Sequence, residues 1–590
     1  MTRKVLVPFF MALICFSSMA QDVDRIMAGM TLRQKVAQLF VPSVTSVEFE
    51  DRQNVQIEWV KEGIGGLIVM DGHLLPCMET INELQDYASI PLMISIDGEW
   101  GASMRFPEFP YFPRQMQLGA LKSDKLVYKM GRAVGKELRL INIGVNYAPD
   151  IDINCNPANP VINTRSFGEN REKVAAYGSA YARGMQDEGV SACVKHFPGH
   201  GDTAVDSHKG LPVLEFGMDR LDSLELYPFR RCIADGVDMV MLAHLSVPAL
   251  DPTGIPTSVS KPVVTGLLRE KLGFDGLIVT DALGMAGVLD YFGGSGPQAC
   301  LAAYEAGVDV LLMPHDLIGS IDLIQSKIES GELSEAGLDG RVRKILTQKM
   351  KHGMLSDSYS GIVDTEGLAD KADNPDDRKL IAQISEKTVV TVVKPSGRML
   401  RGNVAYLALG AGAEKKVPTM DEDDPNIPRK DGKGGPADYG ARRGVGKSGA
   451  SAMGDIFAEK AGADCFYLDR NFSLDDLRTM RGKLSGYRTV ILGFHDTDSR
   501  PQNNYGITDQ SIYDYVGEWA SEQDLVGVYF GSPYALDVMP WYRDFRAFLI
   551  GWADNVYNCS AAAKVVCGKL RSTGVLPVRA GGLPAGYRAK

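Results

Sequence analysis

The strongest constraint on the fold is an alternation from residue 31 to about residue 350, in which short apolar runs rich in β-branched residues precede longer amphipathic stretches. This alternation predicts repeated βα units around a parallel sheet. The predicted strands are 36–42, 65–70, 92–96, 144–148, 192–196, 238–243, 277–280 and 308–313. Eight such units predict a (β/α)8 barrel, with an open doubly wound sheet as the alternative.

Polar side chains follow several of these runs directly, where each predicted strand ends. They are Asp71, Asp97, Asp150, Lys195, His196, His244 and Asp281. The carboxyl ends of barrel strands converge on one face, where the active site lies. This placement therefore favours the barrel over the open sheet.

A second α/β pattern follows a polar, aperiodic segment at 353–380, which we interpret as a linker. It divides the chain into a barrel domain at 21–352 and a smaller α/β sandwich domain at 381–590. The strand-like runs of the second domain are 388–393, 404–409, 489–493, 525–530 and 545–550, with a helical stretch at 511–522. Residues 414–447 are rich in charge, Gly and Pro, and we expect a mobile insertion there.

Composition narrows the class of function. The chain has 590 residues, 45% of them apolar, and its formal net charge is −11. An excess of acidic residues leaves no basic surplus for phosphate backbones, so nucleic-acid binding is not expected. The 9 cysteines include no CxxC pair and are widely spaced, which indicates neither a zinc site nor a disulfide framework.

The N-terminus has the pattern of a signal peptide. Arg3 and Lys4 precede an apolar run that ends at a small-residue site before Gln21. We expect residues 1–20 to be removed on export, giving a periplasmic or secreted protein. Lipid attachment at Cys15 is the alternative, and no later stretch is long and apolar enough to span a bilayer.

The densest cluster of chemical groups is KHFPGHGDTAVDSHKGLP, residues 195–212. Asp206 and His208 are two residues apart, so in an extended chain the carboxylate can reach the imidazole and fix its tautomer. Such a pair can protonate a leaving group and later accept a proton from an incoming nucleophile. The alternative is a polar loop whose residues make only local turns.

A second motif is DGLIVTDALGM, in which an apolar run ends at Thr280 and Asp281 follows. A carboxylate held at a strand mouth can attack an electrophilic carbon, although a lone aspartate there is more often a helix N-cap. A carboxylate nucleophile and an acid/base residue are the two parts of a retaining glycosidase, with His208 here in place of the usual second carboxylate.

A third group of residues suits the binding of hydroxyl groups. Asp97 follows the run ISI, Arg105 comes later in the same segment, and Arg165 lies in NPANPVINTRSFGEN. Carboxylate and guanidinium groups can hold neighbouring hydroxyls by paired hydrogen bonds. For Arg165 the alternative is a loop-stabilising ion pair, and His244 is interpreted as a buried, hydrogen-bonded core histidine.

At these motifs the chain strongly resembles glycoside hydrolase family 3, and within it the β-N-acetylglucosaminidase branch, across nearly the whole mature chain. The motifs are TLRQKVAQLF, DGEWG, NTRSFG, KHFPGHG, DSH, GLIVTDALGM and GKLRSTGVLPVRAGGLPAGY. By position, the resemblance implies Asp281 as the nucleophile, His208 as the acid/base and Asp206 as the partner of that histidine. The residues implied to hold the terminal N-acetylglucosamine are Asp97, Arg105, Arg165, Lys195 and His196. Trp100 and Ala102 depart from the branch, which usually has glycine and arginine there.

The resemblance implies an exo-acting enzyme that works in two steps with retention, through a covalent glycosyl-enzyme and without a metal or organic cofactor. We expect peptidoglycan fragments as the substrate, with chitin-type oligosaccharides as the alternative. An imidazole acid carries no negative charge once deprotonated, so phosphate is a credible acceptor and phosphorolysis stays open beside hydrolysis. A β-glucosidase is less expected, because the DSH loop argues against it. The sequence does not indicate an oligomeric state.

Overall fold

A computed structural model of the chain describes residues 21–44, 50–70, 72–204, 210–395, 397–410, 448–507 and 509–589. The predicted signal peptide, the predicted insertion at 414–447, Asp71 and the pair Asp206 and His208 lie outside the described residues. Within these ranges, no helix combines the length and the apolar character needed to cross a membrane.

The first sheet is a closed barrel of parallel strands. Its strands are β1 (Phe40–Val41), β2 (Ser43–Val44), β3 (Gly66–Val69), β4 (Met93–Ile96), β5 (Val145–Asn146), β6 (Ser191–Phe197), β7 (Met239–Leu242), β8 (Leu277–Thr280) and β9 (Leu311–Leu312). β1 and β2 are halves of one strand, because β2 pairs with β3 while β1 pairs with β9. The other strands pair in chain order up to β8, and a bridge between Val279 and Val310 closes the ring. The predicted (β/α)8 barrel is confirmed.

Helices connect these strands and pack against them in one apolar core. They are α1 (Leu32–Ala37), α2 (Glu50–Glu62), α3 (Leu74–Asp86), α4 (Gln115–Gly119), α5 (Lys125–Leu140), α6 (Arg171–Gln186), α7 (Met218–Ser223), α8 (Leu226–Ala234), α9 (Ala286–Leu289), α10 (Gly296–Ala306), α11 (Leu317–Glu329), α12 (Glu335–Lys351) and α13 (Leu368–Ala372), with a π-helix at Pro262–Lys271. Strand residues such as Leu67 and Val279 are fully buried in this core. Strands covered on both faces have continuous apolar sequences, which is why the sequence pattern located them.

The prediction of a first strand at 36–42 is wrong at its beginning. Val36 and Ala37 end helix α1, and the strand starts at Phe40. Thr31 caps this helix, since its hydroxyl accepts from the Gln34 N–H and the Gln34 side chain accepts from the Thr31 N–H. This capping box satisfies two N–H groups of the first turn, which favours helix in an apolar run that periodicity alone cannot assign.

The second sheet has the order β10-β15-β14-β13-β11-β12, with β10 antiparallel to β15 and the other pairs parallel. Its strands are β10 (Val390–Val393), β11 (Val404–Leu409), β12 (Asp464–Leu468), β13 (Thr489–Phe494), β14 (Leu525–Tyr529) and β15 (Ala547–Ile550), with helices α14 (Pro375–Thr388), α15 (Gly449–Ala461), α16 (Leu474–Leu484), α17 (Gln510–Glu522) and α18 (Val556–Val566). Successive residues of β11 face two different cores, with Leu407 in one and Tyr406 in the other. Apolar cores therefore lie on both faces of the sheet, and the predicted α/β sandwich is confirmed.

Two parts of the second half differ from the prediction. Strand β12 has no counterpart in it, because this edge strand begins at an exposed Asp464 and is only half-buried, which weakens its pattern. The expected aperiodic linker contains α13 and the start of α14, and Leu368 and Ala372 of α13 pack in the barrel core. The limits of the two domains stay a prediction.

The last residues of the chain pack against loops of the barrel. The Val575 N–H donates to the Ala120 carbonyl at 3.1 Å, and the Glu169 N–H donates to the Pro577 carbonyl at 3.1 Å. Gly168 has a φ of +125°, and a Cβ there would lie 2.4 Å from the Pro577 carbonyl oxygen. This close approach of two backbones requires glycine at position 168.

Candidate active site

The described candidate residues lie on one face of the barrel. Asp97 follows β4, Lys195 and His196 lie near the end of β6, and Asp281 follows β8. Arg165 ends a short 3-10 helix in the segment after β5. Because the strands are parallel, their carboxyl ends meet at this face, as the sequence predicts.

Lys195 joins the ends of two strands through its ammonium group. Its Nζ donates to Asp97 Oδ1 at 2.6 Å and lies 2.9 Å from Glu99 Oε1. The side chains of Lys195 and Glu99 are 3% and 1% exposed, whereas that of Asp97 is 23% exposed. The ion pair between Lys195 and Glu99 is thus removed from water, whereas the carboxylate of Asp97 stays accessible from this face of the barrel.

Two arginines extend the same network. Arg165 donates to both carboxylate oxygens of Glu99, from Nη2 at 2.6 Å and from Nε at 3.0 Å. Arg105 donates from Nε to the Asp97 carbonyl at 3.2 Å, and its Nη2 lies 3.6 Å from Asp97 Oδ2. Arg165 therefore does form an ion pair, and its partner is a carboxylate within the cluster.

Burial and paired charges act in opposite directions on these groups. Burial opposes the ionisation of Glu99, but the charges of Arg165 and Lys195 outweigh it and hold the pKa of Glu99 well below its usual value. Burial also works against the charge of Lys195, yet Asp97 and Glu99 raise its pKa above the usual value. Glu99 and Lys195 are therefore ionised at neutral pH and form a fixed array of charged hydrogen-bonding groups.

His196 connects this network to two further carboxyl groups. Arg165 donates from Nη2 to His196 Nε2 at 3.2 Å, which places the ring proton on Nδ1. Nδ1 then donates to Asp152 Oδ2 at 2.7 Å. Burial, reinforced by the charge of Asp152, raises the pKa of Asp150 well above its usual value. Burial of Asp152 acts the same way but is outweighed by its contacts with His196, which lower its pKa.

Asp150, Asp152 and His196 also offer three ligand atoms within 4.8 Å of one another. The guanidinium of Arg165 lies beside this cluster, with Nε 3.9 Å from Asp150 Oδ2. A bound cation would be repelled by this guanidinium. These residues suit an internal charge network better than a metal ion.

Asp281 is fixed to the neighbouring strand through its backbone. Its N–H donates to the Leu242 carbonyl at 2.9 Å, and the Ala282 N–H donates to Asp281 Oδ1 at 2.8 Å. Helix α9, which follows, has Met285 as its N-cap, so the N-cap alternative for Asp281 is wrong. The half-buried carboxyl group lies at the mouth of β8 on the same face as Asp97.

His244 holds the residue that follows Asp281. It is 1% exposed, and its Nδ1 lies 2.7 Å from Ser258 Oγ while its Nε2 lies 3.0 Å from the Ala282 carbonyl oxygen. A carbonyl only accepts, so Nε2 carries a proton and donates to Ala282. The prediction of a buried, hydrogen-bonded histidine is confirmed, and its partner adjoins the candidate nucleophile.

The loop that carries Asp206 and His208 starts beside the same network, although both residues lie outside the described ranges. The chain before it is packed tightly, since a Cβ at Gly201 would lie 1.9 Å from the Ile153 carbonyl oxygen. His200 Nδ1 is hydrogen-bonded to Thr203 Oγ1 at 2.9 Å. Burial lowers the pKa of His200 to about 4. The roles of Asp206 and His208 stay predictions.

Three polar residues of the cluster, Glu99, Asp152 and Gln115, are not among the predicted site residues. Glu99 and Asp152 each lie two residues after a recognised aspartate at a strand end, and this spacing is the signal that points to them. Gln115, at the start of α4, donates from Nε2 to the Asp150 carbonyl at 2.6 Å and has no comparable signal.

Trp100 marks the departure from the motif of the resembling family. Its side chain is 5% exposed, and the Arg114 guanidinium lies 4.6 Å from the ring centroid. Met285 is 9% exposed. Both side chains are thus packed inside the domain in this structure.

Comparisons with known proteins agree with this fold. The family model described as the glycosyl hydrolase family 3 N terminal domain matches residues 31–348. Beta-hexosaminidase A of Pseudoalteromonas piscicida is 36% identical over 351 residues, covering 55% of this chain and 57% of that protein. A beta-N-acetylglucosaminidase/beta-glucosidase of Cellulomonas fimi is 30% identical over 343 residues, covering 57% of this chain and 60% of that protein. Each alignment spans less than two thirds of the relative's length.

Among solved structures, a glycoside hydrolase family 3 beta-N-acetylglucosaminidase from Paenibacillus sp. str. FPU-7 has a TM-score of 0.72 and 28% sequence identity. The similarity covers 93% of this chain and 99% of that one, so it includes both sheets. The family model alone covers more than half of the chain. The protein therefore belongs to glycosyl hydrolase family 3.

Proposed function

We propose that this protein is an exo-acting, retaining β-N-acetylglucosaminidase that releases terminal N-acetylglucosamine. The observation that carries the proposal is the charged cluster of Asp97, Arg165 and Lys195 at strand ends, on the face where Asp281 stands at the mouth of β8. The Paenibacillus relative is a beta-N-acetylglucosaminidase and the Cellulomonas relative is a beta-N-acetylglucosaminidase/beta-glucosidase, which supports this choice of sugar.

In this proposal the cluster binds the terminal sugar ring. Asp97 is the more exposed of the two carboxylates that contact Lys195, so its free lone pairs can accept from sugar hydroxyls. Lys195 and Arg105 fix the direction of that carboxylate before substrate arrives. Groups held rigidly by such contacts lose little freedom on binding, which favours a single orientation of the sugar.

The first step of the proposed reaction forms a covalent bond between Asp281 and the anomeric carbon. Because the Ala282 N–H binds Asp281 Oδ1, the carboxylate is held in one direction for attack. His208 gives its proton to the glycosidic oxygen as the bond to the leaving group breaks. In the second step His208 takes a proton from water, the water oxygen attacks the anomeric carbon, and Asp281 leaves with retention of configuration.

For the biological substrate we propose peptidoglycan fragments, met after export by way of the signal peptide at 1–20. Chitin-type oligosaccharides are the alternative substrate. The test is the intact mass of the exported protein. A mass that matches a chain beginning at Gln21 would support this location. A lipid-modified Cys15 would instead place the enzyme on a membrane surface.

The first test is release of nitrophenol from the β-N-acetylglucosaminide and the β-glucoside, each with and without phosphate. We expect a preference of at least about tenfold for the acetamido sugar, because a site that binds a polar substituent rejects the analogue that lacks it. Product that accumulates as glycosyl phosphate would establish phosphorolysis. Activity on the glucoside alone would contradict the proposed sugar.

Variants at the two reacting groups test the mechanism. Asp281→Asn should lower kcat by at least about 10³-fold on every substrate, because the nucleophile is lost. His208→Ala should slow an alkyl glycoside strongly but spare the first step for dinitrophenyl leaving groups, which need no proton. Equal losses on both leaving groups would contradict the acid/base role of His208.

A further inference from the structure

Three metal-ligating side chains converge at the carboxyl edge of the second sheet, away from the barrel face. His495 comes directly after β13, Asp554 lies in the loop after β15, and Cys559 is in the first turns of α18. The ligand atoms of these three residues all lie within 4.8 Å of one another. The carboxyl edge of a parallel sheet is the usual place for a ligand in such domains.

Two of the three separations between ligand atoms can be compared with those around a tetrahedral ion. His495 Nδ1 lies 2.9 Å from Asp554 Oδ1, and Cys559 Sγ lies 3.4 Å from the same oxygen. Usual zinc bond lengths imply separations of about 3.3 Å between nitrogen and oxygen ligands and about 3.5 Å between sulfur and oxygen ligands. The separation of Sγ and Oδ1 is therefore close to the value for zinc ligands. The imidazole would need to move away from Oδ1 by a few tenths of an ångström.

The orientation of His495 is fixed from outside the cluster. Its Nε2 lies 2.8 Å from Tyr406 Oη, and its ring stacks on Phe530 with centroids 4.8 Å apart. The Tyr406 hydroxyl can accept from Nε2–H when Nδ1 binds an ion, and it can donate to Nε2 when Nδ1–H donates to Asp554. Nδ1 is then left to face Asp554 and Cys559, the arrangement that metal-bound histidines commonly show.

Two of the three side chains in the cluster are removed from water. The His495 side chain and Cys559 are fully buried, whereas the Asp554 side chain is 27% exposed. The start of helix α15 closes another side, since a Cβ at Gly449 would lie 2.5 Å from Asp554 Oδ1 and 2.8 Å from Cys559 Sγ. Among these three side chains Asp554 is the one in contact with solvent, so the proposed fourth ligand is a water molecule on that side.

We propose that His495, Asp554 and Cys559 form a structural site for a divalent transition metal of the Zn²⁺ type. Imidazole, carboxylate and thiolate together favour zinc over Mg²⁺ or Ca²⁺, which prefer oxygen ligands alone. On binding, the ion displaces the proton on Cys559 Sγ, which leaves to solvent, and neutral His495 binds through Nδ1 with its ring proton on Nε2, directed at Tyr406 Oη. The thiolate and the carboxylate then balance the two positive charges.

The site would join two parts of the chain that are distant in sequence. His495 follows one strand of the sheet, while Asp554 precedes α18 and Cys559 lies in its first turn. The wide spacing of these residues explains why no zinc motif is visible in the sequence. Without the ion, Asp554 Oδ1 links the other two groups by accepting hydrogen bonds from His495 Nδ1 and Cys559 Sγ.

The experiment uses the full chain with Co²⁺ as the probe. A cobalt–thiolate bond gives a near-ultraviolet charge-transfer band that oxygen and nitrogen ligands do not give. We expect this band at one Co²⁺ per chain, its loss in Cys559→Ser, and its retention in Cys567→Ser, a half-buried cysteine just after the same helix. Metal analysis of the purified protein should also find zinc, with occupancy reduced at least about tenfold in Cys559→Ser.

A second measurement uses the unaltered protein, so that the proposal can be tested even if the Cys559→Ser variant does not fold. Zinc should raise the Tm and a chelator should lower it, because the ion binds the folded chain. Absence of the band together with an unchanged Tm would overturn the proposal in favour of a purely hydrogen-bonded cluster. Zinc bound without a thiolate band would overturn it too, since that ion would lie elsewhere, for example at Asp150, Asp152 and His196. Glycosidase activity is not a readout here, so either result is independent of the proposed function.

Discussion

At the scale of single residues, the direction of the Asp281 carboxylate depends on a histidine from the neighbouring strand. Ala282 connects the two, because its N–H donates to Asp281 Oδ1 and its carbonyl accepts from His244 Nε2. A nucleophile that is fixed before substrate binds needs less reorganisation to reach the transition state. We therefore assign His244 as a positioning residue for the proposed reaction.

Replacing His244 by Leu removes the donor to Ala282 and should lower kcat by about 10- to 100-fold, with KM changed by less than about twofold. His244→Gln keeps an N–H near the position of Nε2 and should recover most of kcat. Steady-state kinetics on the nitrophenyl sugar, with the Tm of each variant, separates a positioning role from loss of folding.

The control for His244 is His352, another histidine with both ring nitrogens bonded. Its Nδ1 lies 2.9 Å from the Gly189 carbonyl and its Nε2 lies 2.9 Å from Ser191 Oγ, at the start of β6. His352→Gln therefore changes the opposite end of the barrel and should leave kcat unchanged. Equal loss of kcat in the Leu and Gln variants of His244 would contradict the assignment.

The sequence indicated the site residues at strand ends because an apolar run that stops at a polar residue is a local pattern. Asp97, Lys195 and Asp281 are found in this way. The pairing of Glu99 with Arg165 joins residues 66 positions apart, so it depends on the closed barrel and on no local pattern. The pKa of Glu99 follows from that pairing and is equally hidden in the sequence.

At the scale of one element, helix α12 has a buried lysine that contacts the segment between α1 and β1. Lys349 is 0% exposed, its Nζ donates to Gln38 Oε1 at 2.9 Å, and burial lowers its pKa to about 7. The unfolded chain, with a lysine pKa near 10.4, binds more protons than the folded chain between about pH 7 and pH 10. The free energy of unfolding should therefore rise with pH across this window. Below about pH 7 both states carry the proton, so this lysine adds no further dependence on pH.

Lys349→Met removes this dependence on pH. The stability advantage of the variant over the parent should shrink by about 3 kcal/mol between pH 7 and pH 10, as the parent sheds the cost of the buried proton. Urea unfolding at several pH values measures the difference. Lys129→Met, at an exposed position of α5, is the matched control and should show no such trend. Parallel stability curves for the Lys349 variant and its parent would contradict the low pKa.

The elements that the sequence predicts well are those with continuous burial. β11 is found at its observed limits, 404–409, and it lies inside the second sheet with both faces covered. β12 lies at the edge of that sheet with one end exposed, so its composition gives no clear signal. The first strand was placed too early because the helix before it is decided by the cap at Thr31.

At the scale of the whole molecule, the barrel and the second sheet are joined by backbone contacts that tolerate no side chain. Gly168 faces the Pro577 carbonyl, and a Cβ at Gly119 would lie 2.9 Å from the Pro577 side chain. Gln117 adds side-chain contacts, donating to Asn558 Oδ1 at 2.8 Å. This tight contact predicts that the two parts unfold together.

Gly168→Ala tests the contact. The change combines an unfavourable positive φ with a clash against Pro577, whereas Gly189→Ala has a φ of +80° and nothing within 4 Å of the added Cβ. The control should lose about 1 kcal/mol from backbone strain alone, and Gly168→Ala about 1–3 kcal/mol more. Thermal unfolding of the full chain measures both. Equal losses would show that the two backbones separate without penalty.

The hydrogen bond from the Glu169 N–H to the Pro577 carbonyl can form only after both residues have been synthesised. The donor leaves the ribosome roughly 400 residues before its acceptor, which at about 5–20 residues per second is a delay of about 20–80 s. Throughout that interval the barrel loop presents an unpaired backbone to whatever is nearby. The rate of translation thus sets how long other chains can compete for this surface before the residues around Pro577 cover it.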